Sequence, residues 1–308
     1  MLRLRQTPPH SALLLLCLLL TWSGLGFAAG SASNEAKQLL ERMSAALQEL
    51  SYQGIFVYRR DEELTAMKVI HLAHKEGERE LLLTLTGEAR ETVRDSRRFD
   101  ATGKQVARRL AGVESYYQLA PVSRERVAGR DARLIAVAPR DQFRYGYRLW
   151  IDEKTSLLLK SDLLGDEGRV LEQVMFTSIE LMSEKERQRL LAETAGQTEA
   201  TEALVPASTA YAQWKVAAIP VGFQLITTRP TTPQSGVAHM IYSDGLASVS
   251  VFIELGLTPN DKVFKGLSNM GAVNAYGSVI AGHQVTVVGE VPEITVKTIG
   301  QSISYQGP

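Results

Sequence analysis

The stretch from Arg144 to Leu181, RYGYRLWIDEKTSLLLKSDLLGDEGRVLEQVMFTSIEL, sets what this chain can fold into. Residues alternate through Arg144–Ile151. Tyr145, Tyr147, Leu149 and Ile151 fall on one face, and Arg144, Arg148 and Trp150 on the other, which is the two-residue period of a β-strand. The polar run Asp152-Glu153-Lys154-Thr155 reads as a turn, and Ser156–Leu164 as the returning strand. Gly165-Asp166-Glu167-Gly168 supplies two glycines for a second tight turn before a third strand, Arg169–Leu181. Three long strands joined by polar turns form an antiparallel meander.

The same rhythm runs upstream. Tyr52–Arg60, Leu64–His74, Glu78–Leu85 and Thr92–Phe99 read as successive strands, and Arg126–Pro139 as a hairpin turning at Gly129-Arg130-Asp131. A short strand within Ala101–Leu119 brings the expected total to nine or ten. One helix precedes them: Asn34–Leu50, with Asn34 as N-cap and Leu39, Leu40, Met43, Ala46, Leu47 and Leu50 on one stripe.

The first 28 residues read as an export signal. Arg3 and Arg5 precede the apolar run Ala12–Leu20, and Gly26-Phe27-Ala28 offers small residues for cleavage. That run is shorter than the roughly 20 residues a membrane span needs. Its Cys17 is the chain's single cysteine and follows a leucine, which argues against lipidation. Removing 1–28 takes the net charge from 0 to 32 − 34 = −2 and leaves no thiol for disulfides or catalysis. Residues 34–182 are then one domain. The polar segment 183–212 follows, with a helix at Glu184–Glu193 and a linker from Thr194, so few contacts are expected between the parts it joins. Residues 213–308 form a smaller α+β domain. Its strands are Val221–Thr228, Val237–Tyr242 and Ala247–Glu254, the last two joined by a Ser243-Asp244-Gly245 turn with an exposed tip. A helix opening at Thr258-Pro259 runs to about Met270, Gly271–Ile280 pairs with Gln284–Gly289, and Pro292 opens a terminal helix with Ile294 and Ile299 inward. The fold class is α+β and mostly antiparallel β: a large sheet packed on a helix as a sandwich layer or half-open barrel, plus the smaller domain.

Enzyme motifs are missing: there is no Gly-x-Ser-x-Gly, no Walker loop and no His-Glu-x-x-His. His71 and His74, three apart on a strand, point to opposite faces and make no metal pair. His239 near Ser243 and Asp244 lacks an oxyanion hole at a hairpin tip. No catalytic residue, metal or cofactor is assigned, and a neutral chain gives no field for nucleic acid. Two features remain. Ten basic and five acidic residues lie between Arg94 and Arg133, arginine outnumbering lysine nine to one. Arg97, Arg98, Arg108 and Arg109 are candidates for binding a carboxylate or phosphate partner, the alternative being a solvated sheet face. Tyr145, Tyr147, Leu149 and Ile151 either fill a core or line a cleft for acyl chains.

The Trp150-Ile151-Asp152 strand end, the Lys154-Thr155 turn, the leucine-rich strand and the Gly165–Gly168 turn resemble the half-barrel of the LolA and LolB lipoprotein carriers. With Ser51–Arg59 (SYQGIFVYR) and Tyr242–Leu246 (YSDGL), the chain from about residue 35 onward resembles the RseB/MucB family. The resemblance implies a soluble periplasmic regulator of a sigma-E-type envelope stress response, with alginate biosynthesis as a regulated output. Such a protein clamps the periplasmic domain of an inner-membrane anti-sigma factor of the RseA/MucA kind and shields it from site-one proteolysis. It also implies a lipid or lipopolysaccharide release signal, and it leaves a homodimer open. A periplasmic lipid or lipoprotein carrier is the alternative.

Overall fold

The computed structural model describes residues 25–75, 77–97, 112–194, 213–230, 237–254 and 262–307. Helix α1 (Leu25–Glu49) begins the described chain, so Asn34 lies inside the helix and is not its cap. The expected leader falls outside the described residues up to residue 24, and Leu25 to Ala28 are helical.

Nine strands follow: β1 (Tyr52–Arg60), β2 (Glu63–His74), β3 (Gly77–Thr84), β4 (Glu91–Arg97), β5 (Tyr117–Val127), β6 (Arg130–Pro139), β7 (Gly146–Asp152), β8 (Leu158–Leu164) and β9 (Val170–Leu181). They make one antiparallel sheet in the order β4-β3-β2-β1-β9-β8-β7-β6-β5. Two meanders are thus zipped together by β1 and β9, and the chain crosses from one edge of the sheet to the other between β4 and β5. The sheet curves. Helix α1 packs on both β5 and β2, which stand six places apart. On a flat sheet that is about 29 Å, at about 4.8 Å per strand. The packing stretch Ala36 to Leu50 covers only about 21 Å. The sheet therefore bends around the helix, and among the described residues its edges β4 and β5 are not joined, a half-open barrel.

Two apolar clusters fill the space under the curve. Ala36, Leu39, Leu40 and Met43 of α1 meet Tyr117, Leu119, Ile135, Val137, Leu149 and Ile151; Ala46 belongs with Tyr52, Val69 and Ile179. His71 is core: its Nδ1 lies 2.9 Å from the Leu50 carbonyl and its ring stacks on Tyr52. Helix α2 (Glu184–Glu193) follows, capped by the Ser183 hydroxyl, which accepts from the Glu186 N–H.

The second unit is a six-stranded antiparallel sheet, β11-β12-β13-β16-β15-β14, built from β11 (Gln224–Pro230), β12 (Val237–Ser243), β13 (Ser248–Glu254), β14 (Gly266–Met270), β15 (Val273–Ile280) and β16 (His283–Gly289). Helix α3 (Glu293–Gln301) covers one face, and β10 (Trp214–Val216) pairs with β17 (Ile303–Tyr305) beside it. Two expectations fail here. Residues 266–270 are a strand and not the end of a helix (258–261 lie outside the described residues). The Gln284 side chain accepts from the Phe264 N–H and donates to its carbonyl, both at 2.9 Å, and so leads the chain into β14 extended. Ile299 is buried, but Ile294 faces solvent, because α3 turns Val296 and Ile299 inward instead.

Candidate functional site

The site is the junction between the two units, and Arg144 is its centre. Arg144 lies just before β7, on the turn from β6, and its side chain is 0% exposed. Its Nε donates to Asp244 Oδ2 at 2.6 Å. Its Nη1 donates to Asp141 and its Nη2 to the Val221 carbonyl. The guanidinium lies 4.9 Å from the ring centres of both Tyr116 and Phe223, within cation–π range. Arg144, Asp141 and Tyr116 come from the first unit; Asp244, Val221 and Phe223 come from the second.

Asp244 is also 0% exposed. The Ser243-Asp244-Gly245 turn is therefore not an exposed tip: it points its aspartate down into the first unit. Asp244 Oδ1 accepts from the Leu246 and Ala247 N–H groups at 2.9 and 2.8 Å, and Oδ2 accepts from the Tyr117 hydroxyl at 3.0 Å. Every lone-pair direction is used, which is what a buried carboxylate requires. Burial, then the charge of Asp244, pushes the Tyr117 hydroxyl far up, so it stays a donor. Burial alone would lower the Arg144 value, but the hydrogen bond and charge of Asp244, with Asp141, more than reverse that and hold the cation. Gly222 makes room for it. Its φ is +98°, and a Cβ there would sit 2.6 Å from the Tyr116 ring and 2.8 Å from Arg144 Nη2.

A second set of contacts lies along the same rim. Ala272, in the β14–β15 turn, is buried against Leu163 and Leu171. Asn274 Nδ2 donates to the Tyr145 hydroxyl at 3.1 Å and to the Val291 carbonyl at 2.8 Å. Thr295 Oγ1 donates to the Phe143 carbonyl at 2.8 Å. Gly271, at φ +64°, brings its backbone against the Arg60 side chain. The six-stranded unit thus caps one end of the half-barrel, contrary to the expectation of few contacts.

The residues singled out from sequence are placed unevenly. Leu149 and Ile151 are buried under α1, Tyr147 is packed beside them, and Tyr145 faces the second unit. Arg97 ends β4; nothing is described of its side chain, and Arg98, Arg108 and Arg109 lie outside the described residues. His239 stacks on Phe252 and meets the Ser250 hydroxyl at 2.9 Å, away from Asp244. Among the described residues no group of histidines and acids is placed to hold a metal, and no helix is long and apolar enough to cross a membrane. Sequence reasoning missed the Arg144–Asp244 pair. Its only trace was that Asp244 lies in a segment quoted for the family resemblance, YSDGL, while Arg144 opens the meander and falls on its charged face.

The comparisons bear on both units. The model of the MucB/RseB N-terminal domain matches residues 35–105 and 97–194, and that of the MucB/RseB C-terminal domain matches residues 208–304. The sigma factor AlgU regulatory protein MucB of Pseudomonas aeruginosa is 33% identical over 312 residues, spanning 93% of this chain and 96% of that protein. The sigma-E factor regulatory protein RseB of Haemophilus influenzae is 28% identical over 293 residues, 88% and 91% of the two chains. A solved P. aeruginosa MucA/MucB complex aligns over 89% of this chain and 100% of that one, with a TM-score of 0.65 and 31% identity.

Proposed function

Because the chain belongs to the MucB/RseB family, we propose that it regulates a sigma factor by binding the periplasmic domain of a membrane-spanning anti-sigma factor similar to MucA, and that it is a binding protein rather than an enzyme. The observation that carries this reading is the match of both halves of the chain, at 89% coverage, to a protein solved with MucA. In this reading the leader 1–28 exports the chain to the periplasm. The mature protein then holds the anti-sigma segment across two domains and shields it from the first protease that would cut it. The junction supports the reading, because a clamp gains affinity only if its two surfaces are held in register. Arg144 and Asp244 supply that register.

Release by lipid or lipopolysaccharide is the finer part of the proposal. Leu149 and Ile151 lie under α1, so an acyl chain reaches them only by displacing the helix. Each methylene buried contributes about 0.8 kcal/mol, enough for a long chain to compete. A coupling of about 2–3 kcal/mol between the lipid and the anti-sigma segment changes affinity roughly 30- to 150-fold. Arg97, Arg98, Arg108 and Arg109 are the groups proposed to meet the lipid phosphates or an acidic partner segment, because arginine forks suit such anions.

The test is a binding titration of the mature chain with the periplasmic domain of the MucA-like protein from the same organism, followed by protease challenge. Binding with protection is expected, and no binding would end the regulator reading. Adding lipopolysaccharide to the complex then tests release: a complex that persists at saturation removes the lipid step and leaves the rest.

A further inference from the structure

We propose that the open edge of β14 binds an extended segment of the partner as an added β-strand; this rests on the regulator reading and specifies how the partner is held. The two large sheets have four edges, and three are guarded. β4 (ETVRDSR) carries Glu91, Arg94, Asp95 and Arg97. β5 has Pro121, a bulge between Pro121 and Ser123, and the run Arg124-Glu125-Arg126. β11 has a bulge between Leu225 and Thr227 and ends in Arg229-Pro230. Charges, prolines and bulges are the devices that keep sheet edges from pairing with other chains. β14 is GLSNM: it has none of the three, and all five of its residues are exposed.

Its backbone is ready to pair. The two-residue turn Gly271-Ala272 makes Met270 and Val273 a hydrogen-bonded pair, so Ser268–Ala275 and Gly266–Gly277 bond inward as well. The N–H and C=O groups of Leu267 and Asn269 therefore face the open side. Among the described residues no strand pairs there. The edge is also fixed in place. Gln284 clamps Phe264 just before it, and the buried Ala272 anchors its turn on the first unit. A rigid edge loses little entropy when a strand is added, and strand addition to an exposed edge is a recurrent mode of peptide recognition.

Three features describe the occupant. Leu267 and Met270 present apolar side chains, 42% and 61% exposed. Lys262 and Lys265, at the entry to β14, are exposed and have no ion-pair partner among the described residues, so the segment carries an acid at that end. At the other end the β14–β15 turn meets Arg60, on the rim where Leu64 and Leu85 are also exposed. An extended chain can leave the edge and run over those leucines. A second copy is the poorer fit: two rigid bodies touching only along five residues of strand, about 17 Å of edge, would bury much less than the about 1,600 Å² of a standard interface.

The probe is the periplasmic domain of the MucA-like protein, titrated against the mature chain and two variants. Leu267→Pro removes one outward N–H and no inward bond, and is expected to weaken binding about tenfold or more. Leu267→Glu keeps the strand and sets a like charge against the acidic segment; the same direction is expected, and it stands in if the proline variant melts early. In the wild-type complex, hydrogen exchange at the Leu267 and Asn269 amides is expected to slow at least about tenfold, as for newly bonded amides. Wild-type binding with both variants unchanged and no protection at these amides overturns strand addition but keeps the regulator. Absence of wild-type binding overturns both. If the variants instead convert a dimer to a monomer at unchanged partner affinity, the edge belongs to a second copy and the proposal fails.

Discussion

Two arginine–aspartate pairs in this molecule share a chemistry and differ in reach. Arg130 and Asp152 lie 22 residues apart on neighbouring strands, with Nε–Oδ1 at 3.1 Å and Nη2–Oδ2 at 2.9 Å. Asp152 also accepts from the Thr155 N–H and hydroxyl at 2.8 and 2.6 Å, and so fastens the turn after β7. Arg144 and Asp244 lie 100 residues apart and fasten one unit to the other. Arg130 keeps 30% of its side chain in water, whereas neither partner at the junction keeps any. At the local pair only the arginine can re-solvate when the contact breaks, since Asp152 is 1% exposed, whereas at the junction either ion is left stranded. The difference predicts that the junction pair matters more.

The largest expected effect follows. Arg144→Ala leaves Asp244 buried without its cation and should cost about 3–5 kcal/mol. The loss should fall on the junction, so calorimetry should resolve two transitions in the variant where a single one is expected for the wild type. The double variant Arg144→Met, Asp244→Asn removes both charges while the amide oxygen can still accept from the Leu246 and Ala247 N–H groups, and should recover part of that loss. A single cooperative transition in Arg144→Ala would show that the units are coupled by something else. Next is Gly222→Ala. It adds a Cβ at positive φ, against Tyr116 and Arg144, and should cost about 2–3 kcal/mol, again with the junction melting first. A shift below about 0.5 kcal/mol would mean that the Val221–Phe223 loop gives way freely.

These contrasts also explain what could be read from the sequence. The meander was legible because alternation and turn residues act within a few positions: strands expected at 144–151, 156–164 and 169–181 are observed at 146–152, 158–164 and 170–181. The Asp152 turn was legible for the same reason. Asp244 was not. An Asp-Gly pair announces a turn, and only the packing of the second unit on the first decides whether that turn meets water. Residues 266–270 were misread because Thr258-Pro259 is a local helix-start pattern, while Gln284, near in space and distant in sequence, dictates the strand. The arginine cluster was visible as composition, but composition does not say which arginines share a face.

The local pair gives a smaller effect with a pH signature. Burial pushes the Asp152 carboxyl up, and the Arg130 fork and Thr155 donors more than reverse that, so it titrates below the ordinary aspartate range. A depressed folded-state value means the stabilisation is full above about pH 4, the unfolded value, and is lost as pH falls through the lower folded value. Asp152→Asn should cost about 2 kcal/mol at pH 7, the scale of charge-assisted bonds, and progressively less as the wild type is acidified through that range. Urea melts at pH 7 and pH 2.5 measure the difference; an equal gap at both would show that the charge is not what matters.

A third pair completes the series and tests whether distance or burial sets its order. Arg124 Nε lies 2.9 Å from Glu153 Oε1, as close as the Arg130–Asp152 contact, but Arg124 is 74% exposed and Glu153 32%. If distance ruled, Arg124→Ala would rival Asp152→Asn. If burial rules, water already solvates both ions, the arginine gives up rotamer freedom to hold its place, and the net effect is about 0–0.5 kcal/mol. Salt separates the cases further. The screening length falls from roughly 14 Å at 0.05 M to about 4 Å at 0.5 M, so what little the exposed pair contributes should vanish across that range, while the junction pair, with no water to carry the ions in, should be unmoved. Denaturation of wild type, Arg124→Ala and Arg144→Ala at both salt concentrations decides it. A salt-independent loss above about 1 kcal/mol for Arg124→Ala would show that close approach alone sets the strength of these pairs, and the ranking by burial would have to be abandoned.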